Sequence, residues 1–179
     1  MTEWTNPRVV AFDTAANRVA DLARGNPVAD KVMYSLSAAG DHSAVWIGLC
    51  AVEALRRRNH KYLLVSLAMI GLESATVNGP IKMLTRRDRP QDDQSHPHHV
   101  RTPKTTSFPS GHASAGIVAA SLLSYRKPIA WPYYALGLAV GWSRVHVRIH
   151  HPSDVAGGIA IGCVFAAISN AALRRWSGE

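Results

Sequence analysis

Between Val155 and Leu173 lie nineteen consecutive residues without Asp, Glu, Lys, Arg or His, rich in Ala, Gly, Ile and Val and closed by Arg174 and Arg175. A run of about that length crosses the hydrocarbon core of a bilayer as an α-helix, because backbone in lipid must satisfy its own hydrogen bonds. It predicts a spanning helix, and further apolar runs predict four more. Pro128 to Ser143 carries Trp131, Tyr133, Tyr134 and Trp142 near its ends, where interfacial aromatics belong. The others are Gly111 to Tyr125, Tyr62 to Leu84, which Glu73 and Asn78 interrupt, and Ser43 to Leu55. The last also fits a buried helix of a soluble protein.

The expected fold is therefore all-α, an integral-membrane bundle of about five transmembrane helices with amphipathic helices before it. At 179 residues the chain fits a single membrane-embedded domain, with interfacial helices over 1–40 and the helical core over 41–175. Val9, Phe12, Ala16, Val19, Ala20 and Ala23 recur at helical spacing opposite a charged face. Such a helix lies on the membrane surface or on the other helices. Asp13, Arg18, Asp21 and Arg24 break the apolar positions of this stretch, so it does not read as a signal peptide. Gly25-Asn26-Pro27 ends it, Val28 to Ala39 forms a second short helix, and Asp41-His42-Ser43 caps the first span.

The net charge of +8 suits nucleic acid, anionic lipid or an anionic substrate. The aromatics sit at segment ends rather than among the arginines, and no nucleic-acid-binding pattern is present, which leaves the last two. Cys50 and Cys163 lie in apolar segments without metal-like spacing and read as small buried hydrophobes. Glu73 reads as a structural partner inside the bundle. The loop from Pro90 to Phe108 holds Asp92, Asp93, His96, His98 and His99. Its HPHH is a poor metal cage, being polar and broken by proline. In the last two spans Gly137 with Gly141, and Gly158 with Gly162, repeat the small-residue spacing that lets membrane helices approach, and so are expected to bring those two helices together.

Three polar clusters fall at corresponding ends of the runs if the helices alternate in direction. Lys82 precedes Arg89-Pro90 by seven positions, close to two helical turns, so both cations can point one way. Pro109-Ser110-Gly111-His112 opens the third run, where free backbone N–H groups and the positive end of the helix dipole meet a histidine, a favourable setting for a phosphate oxygen. The third cluster, Ser143 to Asp154, reads SRVHVRIHHPSD. His150 is followed four residues later by Asp154, with Pro152 and Ser153 favouring a helix start between them. The carboxylate can then hold one imidazole nitrogen while the other attacks or shuttles a proton. Singly, each cluster also fits an ordinary helix end or a loop with a surface salt bridge. Together, Lys82, Arg89, Arg144, His112, His150 and Asp154 make a phosphoryl-transfer site without metal.

KMLTRRDRP, PSGH and SRVHVRIHHPSD match, position for position, the three motifs of the type 2 phosphatidic acid phosphatase family of membrane lipid phosphatases. With the pattern of spans the resemblance covers roughly Gly40 to Leu173. It implies that His150 attacks phosphorus, that Asp154 orients it and stabilises its imidazolium, and that His112 protonates the leaving oxygen and then activates water. Lys82, Arg89, Ser110, the Gly111 backbone and Arg144 would hold the phosphoryl oxygens, with no metal and no cofactor. Phosphoryl transfer asks mainly for positioning and charge stabilisation, which cations and N–H groups provide. Arg86, Arg87, Arg101, Lys104 and Arg148 lie outside the motif positions; they either bind a headgroup or, as expected for most of them, pair in solvent with Asp88, Asp92 and Asp93.

The same motifs resemble those of soluble bacterial acid phosphatases and vanadium haloperoxidases, so the signature leaves the substrate open, and a broad-specificity acid phosphatase or vanadate-dependent haloperoxidase is the enzymatic alternative. The expected partners are a lipid phosphate substrate and membrane lipids, and no nucleic acid. Polyprenyl diphosphates, phosphatidate, phosphatidylglycerophosphate and a polyprenyl-phosphosugar with a terminal phosphate all fit. A membrane protein that only binds anionic lipid is the non-enzymatic alternative. Arg56, Arg57, Arg58, Lys61, Arg126, Lys127, Arg174 and Arg175 fall at the end away from the clusters. In short loops such residues mark the cytoplasm. The other twelve of the twenty Lys and Arg lie on the clusters' own side, so the raw count opposes that orientation. The family resemblance implies a bacterial cell membrane and an outward-facing site.

Overall fold

The computed structural model describes residues 4–90 and 105–176, and the elements among them are helical. Helices α1 (Pro7–Asp21) and α2 (Pro27–Ala39) each begin with Pro behind an Asn N-cap. Asn26 Oδ1 accepts from the amides of Val28 and Ala29, satisfying donors that a helix start leaves free. A 3₁₀ turn (Asp41–Ser43) leads into α3 (Ala44–Arg57), and α4 follows over His60–Thr76. Pro80 cannot donate to the ladder and Gly79 leaves helical geometry (φ −97°, ψ −106°), so the chain passes through a π-helical turn at Val77–Ile81 before α5 (Lys82–Thr85). The core closes with α6 (Gly111–Ser124), α7 (Trp131–His146) and α8 (Pro152–Trp176).

Helix α6 is the axis of the bundle. Every residue from Ala113 to Leu123 is buried, because its Gly, Ala and Ser positions let neighbouring backbones come close on all sides. Here the expectation about glycines is corrected. A Cβ on Gly137 would stand 2.6 Å from Gly116 O, and one on Gly162 would stand 2.8 Å from Ser114 O. Both glycine pairs therefore seat α7 and α8 on α6 rather than mainly on each other. The reason lies in α6 itself, whose small residues offer a smooth surface to two partners at once. Below the site, Trp46, Tyr62, Met69, Leu122 and Leu173 fill a common apolar core, and Tyr62 donates its hydroxyl to Leu122 O at 3.0 Å.

The outer faces are apolar. Leu55 is 78% exposed, Leu64 63%, Val164 60% and Ile168 46%, apolar surface of the kind a lipid bilayer covers. The helical stretches His60–Thr85 and Pro152–Trp176 are each long and apolar enough to cross a membrane. α3 and α6, at about 21 Å each, are shorter than the ~30 Å core. For α6 this costs little, since its surroundings are protein. Cys50 is buried as expected, but Cys163 lies on the exposed face of α8.

Helices α1 and α2 pack across the polar end of the bundle. Arg24 donates to Val145 O and His146 O, and His146 Nε2 lies 2.7 Å from Asp30 Oδ1. The inward face of α1 is Asp13 and Ala20, while Phe12 and Val19 point outward and are about half exposed. The predicted apolar stripe is thus divided, because α1 sits on an ionic network around Asp13 and on a small apolar cluster of Ala113, Val145 and Val155 around Ala20.

Candidate active site

The alternating helices bring all three sequence clusters to one end. Lys82, Gly111, His112 and His150 line one cavity of about 230 Å³, together with Gly40, Asp41, His42, Ser43, Glu73, Ser74, Asn78 and Thr105. Lys82 is 6% exposed, and its Nζ reaches Thr105 Oγ1 at 3.5 Å.

His150 sits in the loop between α7 and α8 and is buried. Arg89 Nη1 stands 3.2 Å from its Nε2 and donates to Ile149 O at 2.7 Å. A guanidinium only donates, so Nε2 must present its lone pair and Nδ1 must carry the proton. Asp154 Oδ2 faces that Nδ1 at 3.4 Å, but without the alignment of a hydrogen bond. Contacts of this kind commonly tighten only when substrate binds. Burial pushes the imidazole down to about 3, and Arg89 and Arg144 push the same way against Asp154. Burial therefore favours the neutral imidazole, with Nε2 as its lone-pair nitrogen.

Two predicted phosphate contacts are buried and carry polar atoms without a protein partner. Arg144 is fully buried; its Nη1 bonds the Ser37 hydroxyl and carbonyl, while Nε and Nη2 have no partner. Ser110 Oγ is likewise unpartnered at the N-cap of α6. Its backbone N–H donates to Asp154 O at 2.9 Å, which ties the starts of α6 and α8 together. Buried donors left unpaired are costly, and an anion's oxygens would satisfy them. Arg89 is more occupied than the sequence suggests: beyond His150 it donates to Thr105 O at 3.0 Å and Thr106 O at 3.2 Å, pinning the strap that leads to α6.

Several residues outside the predicted set belong to this end. Arg87 corrects the expectation of solvated pairing. It is 3% exposed, its Nη1 lies 2.6 Å from Asp154 Oδ1, and its Nη2 lies 2.7 Å from Asp13 Oδ2 on α1. Asp13 also accepts from Ser153 N at 2.7 Å and Ser153 Oγ at 2.8 Å, so α1 braces the start of α8. Nothing in the sequence links Asp13 to Arg87 across 74 positions. Asp41, expected only as a cap, places Oδ1 3.0 Å from His112 Nε2, and that bond holds its carboxyl below the usual range. Glu73 is buried as expected and accepts from Ser114 Oγ at 2.5 Å, yet it also lines the cavity. The HPHH histidines, Asp92, Asp93, Arg101 and Lys104 lie outside the described residues.

The helical bundle with its apolar belt and this buried, cation-lined end define an integral-membrane protein suited to holding a phosphorylated headgroup. Residues 60–177 match the PAP2 superfamily, and the chain belongs to it. A decaprenylphosphoryl-5-phosphoribose phosphatase of Mycobacterium tuberculosis (strain CDC 1551 / Oshkosh) is 35% identical over 135 residues, 74% of this chain and 74% of that protein. The undecaprenyl-diphosphatase BcrC of Bacillus subtilis (strain 168) is 24% identical over 148 residues, 80% of this chain and 74% of its own. In fold, the transmembrane PAP2-type phosphatidylglycerolphosphate phosphatase from Bacillus subtilis superposes with a TM-score of 0.71 at 24% identity, covering 96% of this chain and 89% of that one. Aquifex aeolicus LpxE superposes at 0.68 with 19% identity, covering 94% of this chain and 98% of that one.

Proposed function

We propose that this PAP2 lipid phosphatase removes a terminal phosphate from a polyprenyl-linked phosphosugar through a phosphohistidine on His150, without a metal ion. The observation that carries the reading is the shared cavity of Lys82, His112 and His150 beside the unpartnered donors of Arg144 and Ser110. Cations and N–H groups aimed at one place stabilise the charge that phosphoryl transfer develops. His150 Nε2 bonds to phosphorus as the bond to the leaving oxygen breaks, and His112 supplies the proton that oxygen needs. Water then attacks phosphorus, gives a proton to His112 and frees His150. Lys82, Arg89, Ser110, the Gly111 backbone and Arg144 hold the phosphoryl oxygens, and Asp154 steadies the His150 imidazolium.

At about 230 Å³ the cavity is smaller than the ~300–1,000 Å³ typical of sites that enclose a drug-sized ligand, so it suits a phosphorylated headgroup while the lipid chain stays in the bilayer. The similarity to the decaprenylphosphoryl-5-phosphoribose phosphatase supports a phosphosugar headgroup. We place the site on the extracytoplasmic face of a bacterial membrane, since Arg56, Arg57, Arg58, Lys61, Arg126 and Lys127 lie in short turns at the opposite end.

Phosphate release by detergent-purified protein in EDTA, across polyprenyl phosphosugar phosphates, polyprenyl diphosphates, phosphatidate and phosphatidylglycerophosphate, tests this. The reading expects turnover that is blocked by vanadate and lost in His150→Ala, with the phosphosugar preferred. Strict dependence on Mg²⁺, or full activity in His150→Ala, would contradict it.

A further inference from the structure

We propose that Asp41 is the positioning residue of the acid–base histidine: it holds His112 by Nε2, so that Nδ1 delivers the proton to the leaving oxygen. This rests on the role given above to His112. The turn between α2 and α3 is shaped around that imidazole. Asp41 Oδ1 lies 3.0 Å from Nε2. Gly40 packs so closely on the ring that a Cβ there would stand 2.5 Å from His112 Cδ2 and 2.8 Å from Val140 Cγ1. The two following residues, His42 and Ser43, take left-handed backbone conformations (φ 55° and 56°). Non-glycine residues hold such conformations only where the surroundings enforce them. Asp41 also stands 3.9 Å from Arg144 Nη1, so one carboxylate spans a predicted proton donor and a predicted phosphate ligand.

A nitrogen bonded to Asp41 cannot at the same moment donate to substrate, which leaves Nδ1 for that task. The carboxylate fixes the ring plane and favours the imidazolium needed before the P–O bond breaks. When the leaving oxygen takes the Nδ1 proton, His112 remains neutral with Nε2–H still on Asp41. In the second half-reaction Nδ1 takes the proton from water as its oxygen bonds to phosphorus and the P–N bond breaks, so the cycle closes without a net change at Asp41.

The test compares Asp41→Asn with the unaltered protein on a lipid alkyl phosphate and on p-nitrophenyl phosphate, whose leaving group needs no proton. General acid catalysis is worth roughly 10²–10⁴ in rate. Because both substrates pass through the same phosphohistidine, the comparison is made in kcat/KM, which reports the steps up to its formation. We expect kcat/KM on the alkyl phosphate to fall at least about tenfold while the aryl phosphate loses less than about threefold, Asp41→Glu to recover most of the loss, and Asp41→Asn to add little in a His112→Ala background. Equal losses on both substrates would assign Asp41 a merely structural role and overturn the proposal. So would an unchanged kcat with a lower KM, which would make Asp41 a stand-in for phosphate on Arg144 and His112. If the unaltered protein released no phosphate from either substrate, the phosphatase reading itself would fall, and this one with it.

Discussion

At the scale of single residues, the arrangement turns on His150. Burial favours its neutral form, and the Arg89 contact makes Nε2 its lone-pair nitrogen, the atom proposed to attack. Its pKa is lower in the folded than in the unfolded chain. Above about pH 6.5 neither state binds the proton, so His150 leaves stability unchanged. As pH falls below that value the unfolded chain takes up a proton that the folded site refuses, and stability declines progressively toward the folded value of about 3. Thermal midpoints in detergent between pH 7 and pH 5 should therefore drop more steeply for the unaltered protein than for His150→Gln. Parallel curves would show that the imidazole is not held neutral. The other site residues were legible in the sequence to different degrees. The gathering of Lys82, His112 and His150 in one cavity was legible because the first two sit at helix starts and the third just before one, where periodicity and capping have meaning. Asp41 was not, because its partner is 71 positions away and only the packing of α6 against the 3₁₀ turn brings them together.

At the scale of helices, α6 decides the architecture. Its small residues accept α7 at Gly116 and Gly137 and α8 at Ser114 and Gly162. Gly137→Ala places a methyl group 2.6 Å from the Gly116 carbonyl oxygen, so the helices must separate. The loss should be about 1–3 kcal/mol, read as a lower thermal midpoint together with reduced turnover, since α7 also carries Arg144. Gly48→Ala in α3, where a Cβ meets nothing within 4 Å, is the control and should be neutral or slightly stabilising. The glycine pairs were visible in the sequence, but their partner was misread, because small-residue spacing announces a close approach without saying to what. Likewise the helical spacing of α1 was legible, but the inward turn of Asp13 was not. A carboxylate on an amphipathic helix reads as solvent-facing until Arg87, 74 positions along the chain, is known to meet it.

At the scale of the whole molecule, alternating helices place the cavity proposed for phosphoryl transfer at one end and the short basic turns at the other. At that far end Arg57 donates to Tyr125 O at 2.7 Å and Lys127 pairs with Glu53 at 3.0 Å. The spans were readable from hydropathy, because lipid requires long apolar helices. The docking of α1 and α2 over the site was not, because it depends on polar contacts between distant segments. The central claim is a covalent phosphohistidine on His150 formed without metal. The most direct test is to mix purified protein with a lipid substrate labelled in its terminal phosphate, in EDTA, quench with base within a turnover, and map the label. The account predicts a base-stable, acid-labile phosphoprotein on His150, absent from His150→Ala. Substrate turnover with no labelled protein, or with the label on another residue, would contradict it.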